Sequence, residues 1–130
     1  MKIVYVNCPV YDYLTASLIE GLDALGHEVV TSQAASRGKV LPDAELRAAA
    51  ETADLVIVGS NQGVRSHLVQ DVANPRKVFV DGGDQQDFGV TNNIRYKLVF
   101  KRELSKRFLD AESQFVFPLP FAAEQRYFTA

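Results

Sequence analysis

An apolar run, Lys77-Val78-Phe79-Val80, stops at a cluster of carboxylates and glycines: Asp81, Gly82, Gly83, Asp84 and Asp87. Carboxylates so spaced can supply oxygen ligands to a hard cation, accept hydrogen bonds from sugar hydroxyls, or sit solvated in a glycine turn. The spacing fits no EF-hand loop and lacks its terminal glutamate, so no metal is expected. Positive charge follows at Lys101 and Arg102, within Phe100-Lys101-Arg102-Glu103-Leu104. That pair can hold a phosphate or a carboxylate, or form salt bridges to Glu103 or Asp84. Two further segments end apolar runs in polar residues. Asn7 to Asp12 follows Ile3-Val4-Tyr5-Val6, and Gly59-Ser60-Asn61-Gln62-Gly63 follows Leu55-Val56-Ile57-Val58. The Asn61 and Gln62 amides either line a crevice or complete a turn. The candidate ligand contacts are therefore Asn7, Asp12, Asn61, Asp81, Gly82, Gly83, Asp84, Lys101 and Arg102, with no catalytic residue among them.

Sharper chemistries fail on their own requirements. Residues 7–13 hold no glycine, so the dinucleotide fingerprint is missing, and no Gly-Lys-Ser/Thr phosphate loop occurs. Asp54 precedes an apolar run where a receiver-domain phosphoacceptor would end one, and no Gly-x-Ser-x-Gly elbow exists. Cys8 beside Pro9 has no basic neighbour to activate it and reads as a packing residue. His27, after Gly26, belongs to a loop, and His67 to a helix surface. Neither has a sequence neighbour that would make it a base. One cysteine and two distant histidines do not make a zinc site. No cofactor is expected.

These candidates need elements to position them. With 130 residues, 47% hydrophobic and 23% charged, the chain has enough apolar material for one globular domain. A net charge of −2 argues against nucleic acid as a partner, and no apolar run nears the roughly 20 residues of a membrane span. A sole cysteine allows no internal disulfide and fits a reducing cytoplasm. Residues 2–7, 27–31, 55–58 and 77–80 read as strands, the first of them apolar on both faces, which suits a covered parallel sheet. Asp12 is placed to cap a helix carrying Leu14, Leu18, Leu22 and Leu25, closed by Gly26 in a left-handed conformation. Residues 32–42 read as a loop. Asp43 is expected to cap a second helix through Ala53, and Val64, Leu68, Val69 and Val72 predict a third, stopped by Asn74-Pro75. Leu98-Val99-Phe100 predicts a fifth strand, Lys101-Arg102-Glu103 a short helix start, and Gln114 to Phe117 a last strand that Pro118 cannot continue. Strands and helices alternate, which predicts a three-layer, Rossmann-like (flavodoxin-like), mostly parallel α/β sheet in one domain, residues 1–120, with 121–130 as a tail. In such sheets ligands bind at the carboxyl ends of the strands.

Val80-Asp81-Gly82-Gly83-Asp84, then Tyr96, Phe100-Lys101-Arg102-Glu103-Leu104 and Phe117-Pro118-Leu119-Pro120-Phe121-Ala122 occur in an order that resembles the amino-terminal half of GT-B-type glycosyltransferases. The nearest likeness is to the CgeB-like group, and residues 2–31 are similar to the first strand–helix–strand unit of many such enzymes. The resemblance implies an acceptor-side domain for a sugar or glycoconjugate, facing a second Rossmann-like domain that holds the nucleotide-sugar donor. It also implies that residues 121–130 are an interdomain linker and that the domain alone is inactive. The alternative expectation is a stand-alone flavodoxin-like module for a small ligand or a protein partner, using the same face for a homodimer. A flavin-binding flavodoxin fits less well, because residues 8–13 lack a phosphate loop rich in hydroxyls and glycine.

Overall fold

The computed structural model describes residues 1–60, 65–82, 96–101 and 116–118, with backbone alone for Ser60, Lys101 and residues 116–118. Seven strands form one sheet: β1 (Lys2–Val6), β2 (Glu28–Thr31), β3 (Lys39–Val40), β4 (Leu55–Ser60), β5 (Lys77–Asp81), β6 (Leu98–Lys101) and β7 (Val116–Pro118). Their order is β3-β2-β1-β4-β5-β6-β7, and every pairing is parallel. The fold is thus the expected Rossmann-like α/β arrangement. Strand β1 lies inside the sheet, with Ile3 opposite both Val29 and Leu55.

Alternation along β1 divides the core into two layers. Ile3 and Tyr5 pack with Leu14, Ile19, Val29, Ile57 and Val80 under helix α1 (Tyr13–Ala24). Val4 and Val6 point the other way, to Leu46 and Ala50 of helix α2 (Asp43–Thr52) and to Val58, Phe79 and Val99. The chain leaves β1 towards β2 through α1 and returns to the far side of β1 through α2. This reversal places the helices on opposite faces and makes the β1–β4 junction the switch point of the sheet.

Local chemistry explains most boundaries. Asp12 caps α1 as expected: its Oδ1 accepts the Leu14 N–H at 3.1 Å, and its own backbone is extended. Gly26 follows the helix with φ +84°, the left-handed turn a side chain resists. Leu25 departs from the predicted stripe. It is the C-cap and is 75% exposed, whereas Leu14 and Ile19 are buried and Leu18 and Leu22 are partly covered.

Other expectations need correction. Residues 32–42 contain strand β3, because Gly38 turns at φ +85° and brings Lys39 and Val40 alongside Val30 and Thr31. Asp43 does not cap α2. Pro42 holds the cap position without a side-chain bond, and the Asp43 carboxylate faces Arg65 Nη2 at 3.3 Å. The third helix is only a 3-10 turn, Ser66–Leu68, within a run of i-to-i+3 bonds from Arg65 to Val72. Lys77 Nζ donates to Val69 O at 2.8 Å, taking a carbonyl that a longer helix would use, although Leu68, Val69 and Val72 still reach the core. Finally, the last strand is Val116–Pro118, with Pro118 opposite Lys101. A terminal strand residue tolerates the missing N–H. Lys101, expected to begin a helix, instead ends strand β6 by pairing with Asp81; the rest of that helix, Val64 and the linker-like residues 121–130 lie outside the described residues. No helix among the described residues is long and apolar enough to cross a membrane.

Candidate functional site

The carboxyl edge of the sheet carries a cavity of about 430 Å³ between two loops, Asn7–Asp12 after β1 and Gln33–Ser36 after β2, with Thr15 and Ala16 of α1 beside them. Parallel pairing of β1 with β2 puts these loops side by side.

One side chain holds them together. Asn7 Oδ1 accepts from Ser32 N at 3.1 Å, Gln33 N at 2.9 Å and Ser32 Oγ at 2.9 Å, while Asn7 Nδ2 donates to Gln33 O at 3.1 Å. The Asn7 N–H donates to Ser32 Oγ at 3.0 Å. Asn7 is 5% exposed, and its amide is committed to this clamp. It shapes the cavity wall by fixing the Ser32–Gln33 backbone. Asp12 is likewise engaged: besides the Leu14 N–H, its Oδ2 accepts from Thr15 Oγ1 at 2.9 Å. A carboxylate therefore occupies the positive end of α1, where a bare helix start would attract an anion.

Below this wall lies the switch point. Cys8 is buried, and its thiol donates to Gly59 O at 3.4 Å, tying the end of β1 to the end of β4. This bears out the packing role and adds a lining role in the cavity. Tyr5 is fully buried, and its hydroxyl has no partner at hydrogen-bond geometry among the described residues. Burial pushes the Tyr5 pKa far upward, with Thr15 pulling the other way and Asp12 and Cys8 adding to the rise. The ring fits because β4 has glycine here. A Cβ on Gly59 would stand 3.1 Å from Tyr5 Cε1 and 3.3 Å from Thr15 Oγ1.

Two predictions follow from this packing. Gly59→Ala should destabilise the domain by about 1–3 kcal/mol, the cost of overpacking a filled core. Tyr5→Phe should be neutral or stabilising by up to about 1 kcal/mol, because it removes a buried hydroxyl that makes no bond among the described residues. Urea unfolding monitored by circular dichroism measures both. A loss above about 1 kcal/mol in Tyr5→Phe would show that the hydroxyl has a partner after all.

The other candidates are distributed differently. Asp81 ends β5 and is 3% exposed, Gly82 is buried beside it, and the Lys101 backbone pairs with Asp81 across the β5–β6 ladder. These residues share the carboxyl edge but do not line the cavity, which lies two strands away at β1 and β2. Asn61, Gly83, Asp84 and Arg102 lie outside the described residues, as do Asp87 and Gln62. Among the described residues, no cluster of three or more His, Cys, Asp or Glu side chains could hold a metal ion. His27 sits in the turn after α1 with Nδ1 3.3 Å from the Met1 amino group, and His67 is exposed on the 3-10 turn.

Sequence reasoning missed the second wall of the cavity, Gln33 to Ser36, and the exposed ring of Tyr11 at its rim. The available signal was topological. If β2 lies beside β1, the loop after Thr31 must flank the loop after Val6.

Comparison of the chain with protein-family models, curated proteins and solved structures returns no match.

Proposed function

We propose that the chain is the acceptor-side domain of a GT-B-type glycosyltransferase, holding a neutral, hydroxyl-bearing ligand between Asn7–Asp12 and Gln33–Ser36. The observation that supports this most is the Asp12 cap. Rossmann domains that hold nucleotides use the bare start of the first helix for phosphate. Here Asp12 places a negative charge at that position and fills it with two hydrogen bonds. A phosphate would meet repulsion, whereas a sugar hydroxyl would meet acceptors and donors. Gln33 and Ser36 supply polar groups, and Tyr11 and Val10 supply apolar surface for the carbon face of a sugar ring. On this reading the nucleotide-sugar donor belongs to a second Rossmann-like domain, and this domain alone transfers nothing. A cytoplasmic location is part of the reading, supported by a cysteine count of one, which allows no internal disulfide.

Titration of the isotope-labelled domain with a panel of neutral mono- and disaccharides, and separately with uridine diphosphate, tests the reading by NMR. At least one neutral sugar should shift the amides of Gln33 to Ser36 saturably, and uridine diphosphate should not. Asp12→Asn retains a good cap and removes the charge, so uridine diphosphate should gain access to the same amides in that variant. Saturable diphosphate binding by the unaltered domain would count against an acceptor role, as would indifference to every sugar.

A further inference from the structure

A second cavity opens at the opposite, amino-terminal edge of the sheet, where β5 begins, and its volume is about 650 Å³. Lys77, Lys97, Tyr96, Gln70 and Asn74 line it, and among the described residues no acidic one does. Lys77 is 6% exposed. Its ammonium donates to Val69 O at 2.8 Å and lies 3.5 Å from Gln70 O. An ammonium has three donors, so one N–H has no acceptor among the described residues. Burial draws the Lys77 pKa down, and among the described residues Asp71 opposes this. The Asp71 carboxylate is itself bound to the Arg47 guanidinium. Lys97 is held at the next strand, its backbone N–H donating to Lys77 O at 2.7 Å. Tyr96 is fixed against Phe79, ring centroids 4.9 Å apart, and gives the cavity an aromatic wall. Asn74 is fully committed, donating to Ala50 O and Ala53 O and accepting from Arg76 N, so it holds the floor rigid.

We propose that this cavity binds a small organic oxyanion, a phosphate monoester or a carboxylate. Its charged group would sit on the Lys77 ammonium beside Lys97, and its apolar body would lie against Tyr96. The anion would supply the acceptor that the third N–H lacks, in a partly desolvated setting where a charge-assisted bond is strong. Nothing here depends on the acceptor-domain reading, which concerns the other edge of the sheet.

The test is NMR titration of the labelled chain with phenyl phosphate and with benzoate, using sodium chloride at matched ionic strength as the control. At least one of the two anions should shift the amides of residues 70–77 and 96–97 saturably, and the stronger binder identifies the phosphate or the carboxylate as the preferred group. Chloride should not reproduce the shifts. Lys77→Met should weaken binding by at least about tenfold, the loss of one charge-assisted bond. Lys97→Glu changes an exposed position and should weaken it by a similar factor, so it decides the matter if Lys77→Met does not fold. Shifts that chloride reproduces, no saturable shift with either anion, or unchanged affinity in Lys97→Glu would each overturn the proposal.

Discussion

Asn7→Ala is expected to lower the stability of the domain by about 3 kcal/mol. The substitution removes a single acceptor that serves Ser32 N, Gln33 N and Ser32 Oγ, and with it the donor to Gln33 O. Each buried donor left unpaired costs about 1–3 kcal/mol. Asn7 lines the carboxyl-edge cavity, so water can enter and relieve part of that sum. For a domain of this size the loss corresponds to a fall in melting temperature of about 10 °C. Asn7→Asp keeps the three accepting bonds but sets a carboxylate against Gln33 O, and should cost about 1–2 kcal/mol. Thermal and urea unfolding of both variants measure the difference. Equal stability of Asn7→Ala and the parent would mean that the two loops are held by something other than this clamp. If the proposed acceptor role holds, Asn7→Ala should also weaken sugar binding by loosening the Gln33–Ser36 wall, because the Asn7 amide is committed to that wall.

Phe79→Ala should have a still larger effect, about 3–5 kcal/mol. Phe79 is completely buried at the centre of β5, opposite Val58 on one side and Val99 on the other. It belongs to the core layer that contains Val6, Leu46, Val69 and Val72, and Tyr96 leans on it at an interplanar angle of 46°. Truncation leaves a void that strands fixed by ladders on both sides cannot close. A small domain has about 5–15 kcal/mol in total, so the variant should retain only a small margin or unfold. Urea unfolding should show a lower midpoint with an unchanged slope. A cost under about 2 kcal/mol would indicate a core that collapses around the gap. Phe79→Leu keeps most of the volume and should be much milder.

The parallel architecture was legible because its strands are buried on both faces, so Ile3-Val4-Tyr5-Val6 and Leu55-Val56-Ile57-Val58 read as continuous apolar runs. Asp12 and Gly26 were legible because capping and left-handed turns select few residue types. Strand β3 was not, since two residues carry no periodicity and its place depends on Gly38 turning against β2. The segment after Arg65 misled for a different reason. Leu68, Val69 and Val72 are spaced for a helix face and are indeed buried, yet an amine arriving from Lys77 competes for the Val69 carbonyl. The candidate site split along similar lines. The carboxyl edge followed from topology, and Asn7 and Asp12 both line the cavity there. Their chemistry did not follow, because the partners of Asn7 lie 25 and 26 residues away. Asn61, Gly83, Asp84 and Arg102 fall outside the described residues, so the Asp-Gly-Gly-Asp turn stands as an expectation tied to Asp81 and Gly82 alone.

The interior position of β1 also has a consequence for synthesis. The first strand made is paired on both sides in the finished sheet, with β2 on one side and β4 on the other. Its partner at Leu55–Ser60 leaves the ribosome only after α1, β2, β3 and α2 have been made. At about 5–20 residues per second, Ile3 to Val6 wait for seconds with one row of backbone donors and acceptors open. During that interval the nascent chain presents a short, apolar, unpaired strand edge of the kind that recruits other chains. Slowing elongation between Thr31 and Leu55, for instance by rare codons, should therefore raise the aggregated fraction without altering the folded product.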